Sequence, residues 1–173
     1  MPMERVGLIQ FEGADRTVIG PDIRVGEAAP DFVAVAQDWS EVRPISAQKG
    51  KVRILAAALS LDTSVCDREA RRFNEEAAGL GEGVLIYVLS ADLPWTQKRW
   101  CGAVGVDRVY TLSDAKYMDF GTRYGCLIKE TRFLRRAVFV VDRNNRVVYS
   151  DYMPQLGQEP KYDEVLAAAR KAL

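Results

Sequence analysis

Cysteines at positions 66, 101 and 126 are the strongest nucleophiles in this chain, and it contains no histidine. Histidine is the usual general base at neutral pH and the commonest metal ligand, so Ser-His, Cys-His and His-metal mechanisms are excluded. What remains is the chemistry of sulfur itself, a thiolate formed by its surroundings and attacking an electrophile or another sulfur. The cysteine count is odd and shows no CxxC spacing, which argues against a secreted disulfide framework and a zinc site. In a reducing compartment a disulfide here would be transient and catalytic.

Cys66 lies in SLDTSVCDREARRFNEEAAGL. Cys66, Ala70, Phe73 and Ala77 recur at spacings of four, three and four, while Arg68, Arg71, Asn74 and Glu75 fall on the other side. That pattern predicts an amphipathic helix stopped by Gly79 and Gly81. Thr63 or Ser64 can cap it, which puts Cys66 in the first turn, where free N–H groups and the positive end of the dipole favour a thiolate. The same geometry sets Cys66 on the apolar face. A sheltered reactive thiolate and a small buried hydrophobe both fit these facts.

Cys101 closes the segment PWTQKRWCG, a short helix with Pro94 in its first turn and Gly102 just past its end. The negative end of a helix disfavours a thiolate, so Cys101 is poorly placed as a primary nucleophile. It suits a second thiol that reacts once the first is oxidised, or a half-buried side chain packed beside Trp100. A disulfide needs Cα atoms within about 7 Å. If Cys66 and Cys101 bond from separate helices, one or both helix ends must unwind. Cys126, in YGCLIKE, reads as a core or loop cysteine.

The elements that must hold these residues are legible in outline. VGLIQFEGADRTVI reads as a hairpin with its turn at GAD, and DFVAVA as a short strand after Pro30. Residues 51–59 and GVLIYVLSAD are buried strands flanking the Cys66 helix, which makes a parallel βαβ unit. VYTLSD is a further strand and DAKYMDFGTRYG a loose helix. RRAVFVVDRNNRVVYSDY is a hairpin turning at Arg143, Asn144 and Asn145, and YDEVLAAARKAL is a C-terminal helix. A βαβ unit followed by a closing ββα unit is the order of a thioredoxin-like α/β fold. At 173 residues the expectation is a single domain, residues 1–173, with residues 1–20 as a hairpin extension.

Lysine and arginine total 24, as do aspartate and glutamate, with 48% hydrophobic and 28% charged residues. No global field argues for nucleic acid or an anionic membrane. The N-terminal residues lack an apolar stretch long enough for a signal peptide or a membrane span, so a cytoplasmic protein is expected.

SLDTSVCDREARRFNEEAA around Cys66, SADLPWTQKRWCGAVG around Cys101, RAVFVVD from Arg136, APDF at 29–32 and the EPKYDEVLAA tail together cover nearly the whole chain. In these segments and their spacing the chain resembles thiol peroxidases, the bacterial atypical two-cysteine branch of the peroxiredoxins. The resemblance implies a peroxidase acting on hydrogen peroxide and organic hydroperoxides, with Cys66 as peroxidatic and Cys101 as resolving cysteine. It also implies an intramolecular disulfide, thioredoxin as reductant, a homodimer, and no metal or prosthetic group. Thr63 would supply a hydroxyl one turn before Cys66, and an arginine a fixed cation with several donors. Alternation along the strand cannot choose between Arg135 and Arg136; the family's RAV segment implies Arg136. The family signature PxxxTxxC carries proline where this chain has Leu59, and many relatives carry proline where it has Ser64. Leu59 keeps the apolar shield but restores a backbone N–H and frees φ. It keeps open a second reading, a thiol-based redox sensor or relay of the same fold with little turnover.

Overall fold

The computed structural model describes residues 1–173. In chain order the elements are β1 (Glu4–Phe11), β2 (Ala14–Ile19), β3 (Ala34–Val35), β4 (Glu41–Val42), β5 (Val52–Ala57), α1 (Ser64–Leu80) and β6 (Val84–Ser90). There follow α2 (Pro94–Val104), β7 (Tyr110–Ser113), α3 (Asp119–Arg123), β8 (Leu127–Ile128), β9 (Ala137–Val141), β10 (Val147–Tyr152) and α4 (Tyr162–Lys171). Seven strands form a mixed sheet in the order β10-β9-β5-β6-β7-β3-β4, and β1-β2-β8 form a second, three-stranded sheet.

Central strand β5 runs parallel to β6 and antiparallel to β9, and all of its residues are buried. Its alternation divides the interior in two. Val52, Ile54 and Ala56 face the core shared with α1, α2 and α4, whereas Leu55 and Ala57 face a second core built around Phe32, Phe120, Tyr124 and Phe139. Helix α1 contributes Cys66, Ala70 and Phe73 to the first core, the stripe its periodicity predicts. The charged side chain of Arg53, fully buried in β5, donates through Nη1 to the carbonyls of Gln48 and Asp142 at 3.2 and 3.1 Å, while its Nε has no partner.

Three local expectations need correction. The first hairpin turns at Glu12 and Gly13, one residue earlier than GAD, because successive left-handed residues (φ 52° and 73°) match the strand twist, and Ala14 and Asp15 pair within β2. Helix α1 ends at Gly81 (φ 73°), the second of its two expected stops, whereas α2 runs on through Gly102 to Gly105 (φ 69°). The Gly105 N–H closes α2 on the Cys101 carbonyl at 3.1 Å, so Cys101 lies inside the last turn rather than at the final residue. DFVAVA provides only the two residues of β3.

Phe73 is fully buried and meets the edge of the Tyr162 ring, centroids 5.4 Å apart, which joins α1 to α4. Phe73→Ala is expected to lower unfolding free energy by about 3–5 kcal/mol in urea titration, through lost burial and the cavity left behind.

Candidate active site

Cys66 enters α1 directly after the loop that leaves β5. Thr63 holds the N-cap position in extended geometry (φ −87°, ψ 142°), and no side chain caps the helix. This differs from the expected hydroxyl cap: Thr63 Oγ1 instead donates to the Ser60 carbonyl at 2.9 Å. The first backbone bond of the helix is Asp67 N–H to Thr63 O at 2.9 Å, which leaves the N–H groups of Ser64, Val65 and Cys66 free in the turn that holds the thiol. Cys66 itself has no exposed surface, and Leu59 packs against the core that contains it.

The residue immediately before β9 reaches across to this sulfur. Arg136 Nη2 donates to Cys66 Sγ at 3.1 Å, Nη1 pairs with Glu69, and Nε donates to the Leu156 carbonyl at 3.3 Å. Arg135 points to the opposite side, donating to the Gly125 carbonyl at 2.8 Å, pairing with Asp22 and lying 4.1 Å over the Tyr152 ring. The structure therefore resolves the choice that alternation left open: Arg136 is the arginine at the thiol.

Glu69 is the residue that sequence reasoning missed. It sits one helical turn after Cys66, is 1% exposed, and burial pushes it up to about 7 against the pull of Arg136. Burial alone would lower the Arg136 guanidinium, but Glu69 and the Cys66 sulfur outweigh it and hold it above its ordinary value. The available signal was a carboxylate three positions after Cys66, on the apolar side of an otherwise regular helix.

Cys101 is half-buried in α2. Gln37 Nε2 donates to its sulfur at 3.3 Å and to Thr111 Oγ1 at 2.7 Å, and Thr111 Oγ1 stands 3.7 Å from the same sulfur. The neighbouring Trp100 donates its indole N–H to Asp67 Oδ1 at 3.0 Å, while Arg71 donates to Asp67 Oδ2 at 2.8 Å. The residue beside one thiol thus bonds the residue beside the other, and both sulfurs are free thiols that pack against the same core. Cys126 lies in the second core, where burial pushes its thiol up to about 12 and its sulfur donates only to the Tyr124 carbonyl at 3.4 Å. No His, Cys, Asp or Glu side chains converge in a group of three that could hold a metal ion, and no helix is long and apolar enough to cross a membrane.

Residues 24–166 match the Redoxin family. The chain is 47% identical over 162 residues to the thiol peroxidase of Bacillus subtilis, covering 94% of this chain and 96% of that one. It belongs to the redoxin family, on the thiol peroxidase branch. The thiol peroxidase of Clostridium acetobutylicum is 46% identical over 165 residues, covering 95% and 98% of the two chains. Among solved structures, a peroxiredoxin-like protein from Aquifex aeolicus superposes with a TM-score of 0.88 at 37% identity over the full length of both chains. A thiol peroxidase from Chromobacterium violaceum, at 23% identity, shares the fold with a TM-score of 0.80 over 94% and 95% of the chains. The thioredoxin-like redoxin fold expected from the element order is the fold observed.

The buried carboxyl of this redoxin sets a pH dependence. Because the folded state binds the Glu69 proton more tightly than the unfolded chain, whose ordinary value is 4.5, this contribution to stability is complete below that pH and is lost as pH rises through about 7. Asp114, raised by burial to about 7, acts in the same direction. The melting temperature of the reduced protein is expected to decline between about pH 5 and pH 8, and Glu69→Gln to flatten part of that decline, Asp114 supplying the rest.

Proposed function

We propose that this chain is a thiol-dependent peroxidase in which Cys66 attacks hydroperoxides and Cys101 resolves the product. The observation that carries the reading is the Arg136 Nη2 contact to Cys66 Sγ at 3.1 Å, in the first turn of a helix with its leading N–H groups free. A guanidinium and a helix N-terminus both stabilise negative charge on sulfur, and Arg136 keeps further donors for the oxygens of the substrate. With its hydrogen committed to the Ser60 carbonyl, the Thr63 hydroxyl presents lone pairs to the O–H of an arriving hydroperoxide.

In the first step the Cys66 thiolate attacks the terminal peroxide oxygen. The O–O bond breaks, the alkoxide leaves and takes a proton as water or an alcohol, and Cys66 becomes a sulfenic acid. In the second, the Cys101 sulfur attacks the Cys66 sulfur, forming the disulfide and releasing water. Thioredoxin then supplies two electrons by thiol–disulfide exchange, and its own dithiol becomes a disulfide. On this reading residues 1–173 act as one cytoplasmic domain that pairs as a homodimer. The exposed Trp39 and Trp95, with ring centroids 4.9 Å apart, offer an apolar surface to a second copy.

One observation favours the sensor reading as the alternative: Cys66 is fully buried behind a loop that carries Leu59 rather than proline. Peroxide consumption coupled to thioredoxin, its reductase and NADPH separates the two. Cys66→Ser is expected to abolish turnover, Cys101→Ser to permit one oxidation without recycling, and Cys126→Ser to retain activity within about twofold. Full activity in Cys66→Ser would overturn the assignment. Stoichiometric formation of the disulfide without turnover would select the sensor.

A further inference from the structure

Three hydrogens from two segments converge on one carboxylate between β6 and α2. Asp92 Oδ1 accepts the Ser60 hydroxyl at 2.7 Å, and Oδ2 accepts the Leu61 backbone N–H at 2.8 Å and the Ser90 hydroxyl at 2.7 Å. The Asp92 backbone is held as well. Its N–H donates to Ser90 Oγ at 3.3 Å, and its carbonyl accepts the Ser113 hydroxyl at 2.5 Å.

Ser60 and Leu61 belong to the loop that leads from β5 to Cys66. The Ser60 carbonyl accepts both the N–H of Thr63 at 3.1 Å and its hydroxyl at 2.9 Å, and Ser60 Oγ accepts the Asp62 N–H at 3.2 Å. The hydrogen bonds made within residues 60–63 therefore all converge on Ser60, and the side chain of Asp92 holds both Ser60 and its neighbour Leu61. Hydrogen bonds to a carboxylate are shorter and stronger than neutral ones, so a charged acceptor can fix a loop that has no proline at 59.

We propose that Asp92 is the positioning residue of the Cys66 loop, fixing residues 60–63 ahead of the reacting thiol and fastening them to the start of the helix that carries Cys101. The inference rests on the reading of Cys66 as the attacking thiol. Asp92 acts through Ser60 and Leu61 and does not touch the sulfur. It sets where the Thr63 hydroxyl stands and how the first turn of α1 begins, and small displacements of groups around a reacting atom are costly in rate.

The test is the rate of Cys66 oxidation in the full chain after mixing with hydrogen peroxide, followed by tryptophan fluorescence and by trapping of the sulfenic acid. Native protein is compared with Asp92→Asn, Ser60→Ala and the double variant, with thermal melts alongside. Asp92→Asn is expected to slow oxidation about ten- to a hundredfold and Ser60→Ala less, and the double variant to be no slower than Asp92→Asn alone, because both changes cut the same link. Oxidation within twofold of native in Asp92→Asn overturns the proposal. So do additive effects in the double variant, which would mean that Asp92 serves stability without acting through the loop. If Asp92→Asn fails to fold, Ser60→Ala alone decides: slowed oxidation with an unchanged melt supports the proposal, and a native rate overturns it. Failure of the underlying reading looks different, because the native chain itself would then form no sulfenic acid at Cys66, and both claims would fall together.

Discussion

A negative sulfur inside a protein core demands a positive partner, and the rest of the site follows from that demand. Cys66 has no exposed surface, so water cannot stabilise a thiolate there, and the guanidinium of Arg136 at 3.1 Å is the charge that can. Arg136 is itself 1% exposed and would be costly alone; Glu69, equally buried, is its counter-ion. Replacing a buried pair by apolar residues is often harmless to stability, whereas removing one member strands the other. A cluster of this kind therefore makes sense as a device for holding charge at a chosen atom. The sheet and α1 serve that end: Arg136 stands immediately before β9, α1 delivers Cys66 and Glu69 from successive turns, and β5 lies between β9 and β6 as the floor beneath them.

The two ends of α2 are held by different means, and under the two-thiol reading that difference matters. At its start, Gln97 is fully buried and donates to Ser90 Oγ and the Leu112 carbonyl, both at 3.0 Å, next to the bonds that tie Asp92 to the Cys66 loop. Breaking those contacts would leave buried polar groups without partners, which costs far more than the net worth of each bond. At its end, Cys101 is half-exposed, its sulfur is a weak acceptor for Gln37, and the turn closes on Gly105 through one N–H. Under that reading, motion that brings Cys101 to Cys66 is least costly in this last turn, which the Trp100 to Asp67 bond restrains.

Much of the frame was legible because its signals are local. The spacing of Cys66, Ala70 and Phe73 revealed α1 and the side it buries, and the apolar runs of β5, β6 and β9 revealed the centre of the sheet. The end of α1 was legible at Gly81, the second of the two glycines offered, but the end of α2 was misplaced at Gly102 because glycine ends a helix only where the backbone turns left-handed, and that choice fell to Gly105. Two-residue strands such as β3, β4 and β8 carry no period to read; distant neighbours make them. The site was half legible for the same reason. Cys66 and Thr63 lie in one short segment, but the partner of Glu69 is 67 residues away, and Gln37 meets Cys101 across 64.

The three cysteines show why exposure is a poor guide to thiol chemistry. Cys66 and Cys126 are equally buried at 0%, and both are apolar-core residues by packing. Their neighbours differ in sign. Cys126 faces a carbonyl oxygen, which can only accept the thiol proton, and burial raises its thiol without relief. Cys66 faces a guanidinium, which can only donate, and it sits where three backbone N–H groups are free. A carbonyl suits a thiol and a guanidinium a negative sulfur, so the same side chain at the same depth meets opposite surroundings in the two places, and on the proposed reading Cys66 rather than Cys126 is the nucleophile for that reason. Cys101, the most accessible of the three, has neither extreme. Its neutral neighbours Gln37 and Thr111 suit a sulfur that waits for an oxidised partner rather than one that meets peroxide first.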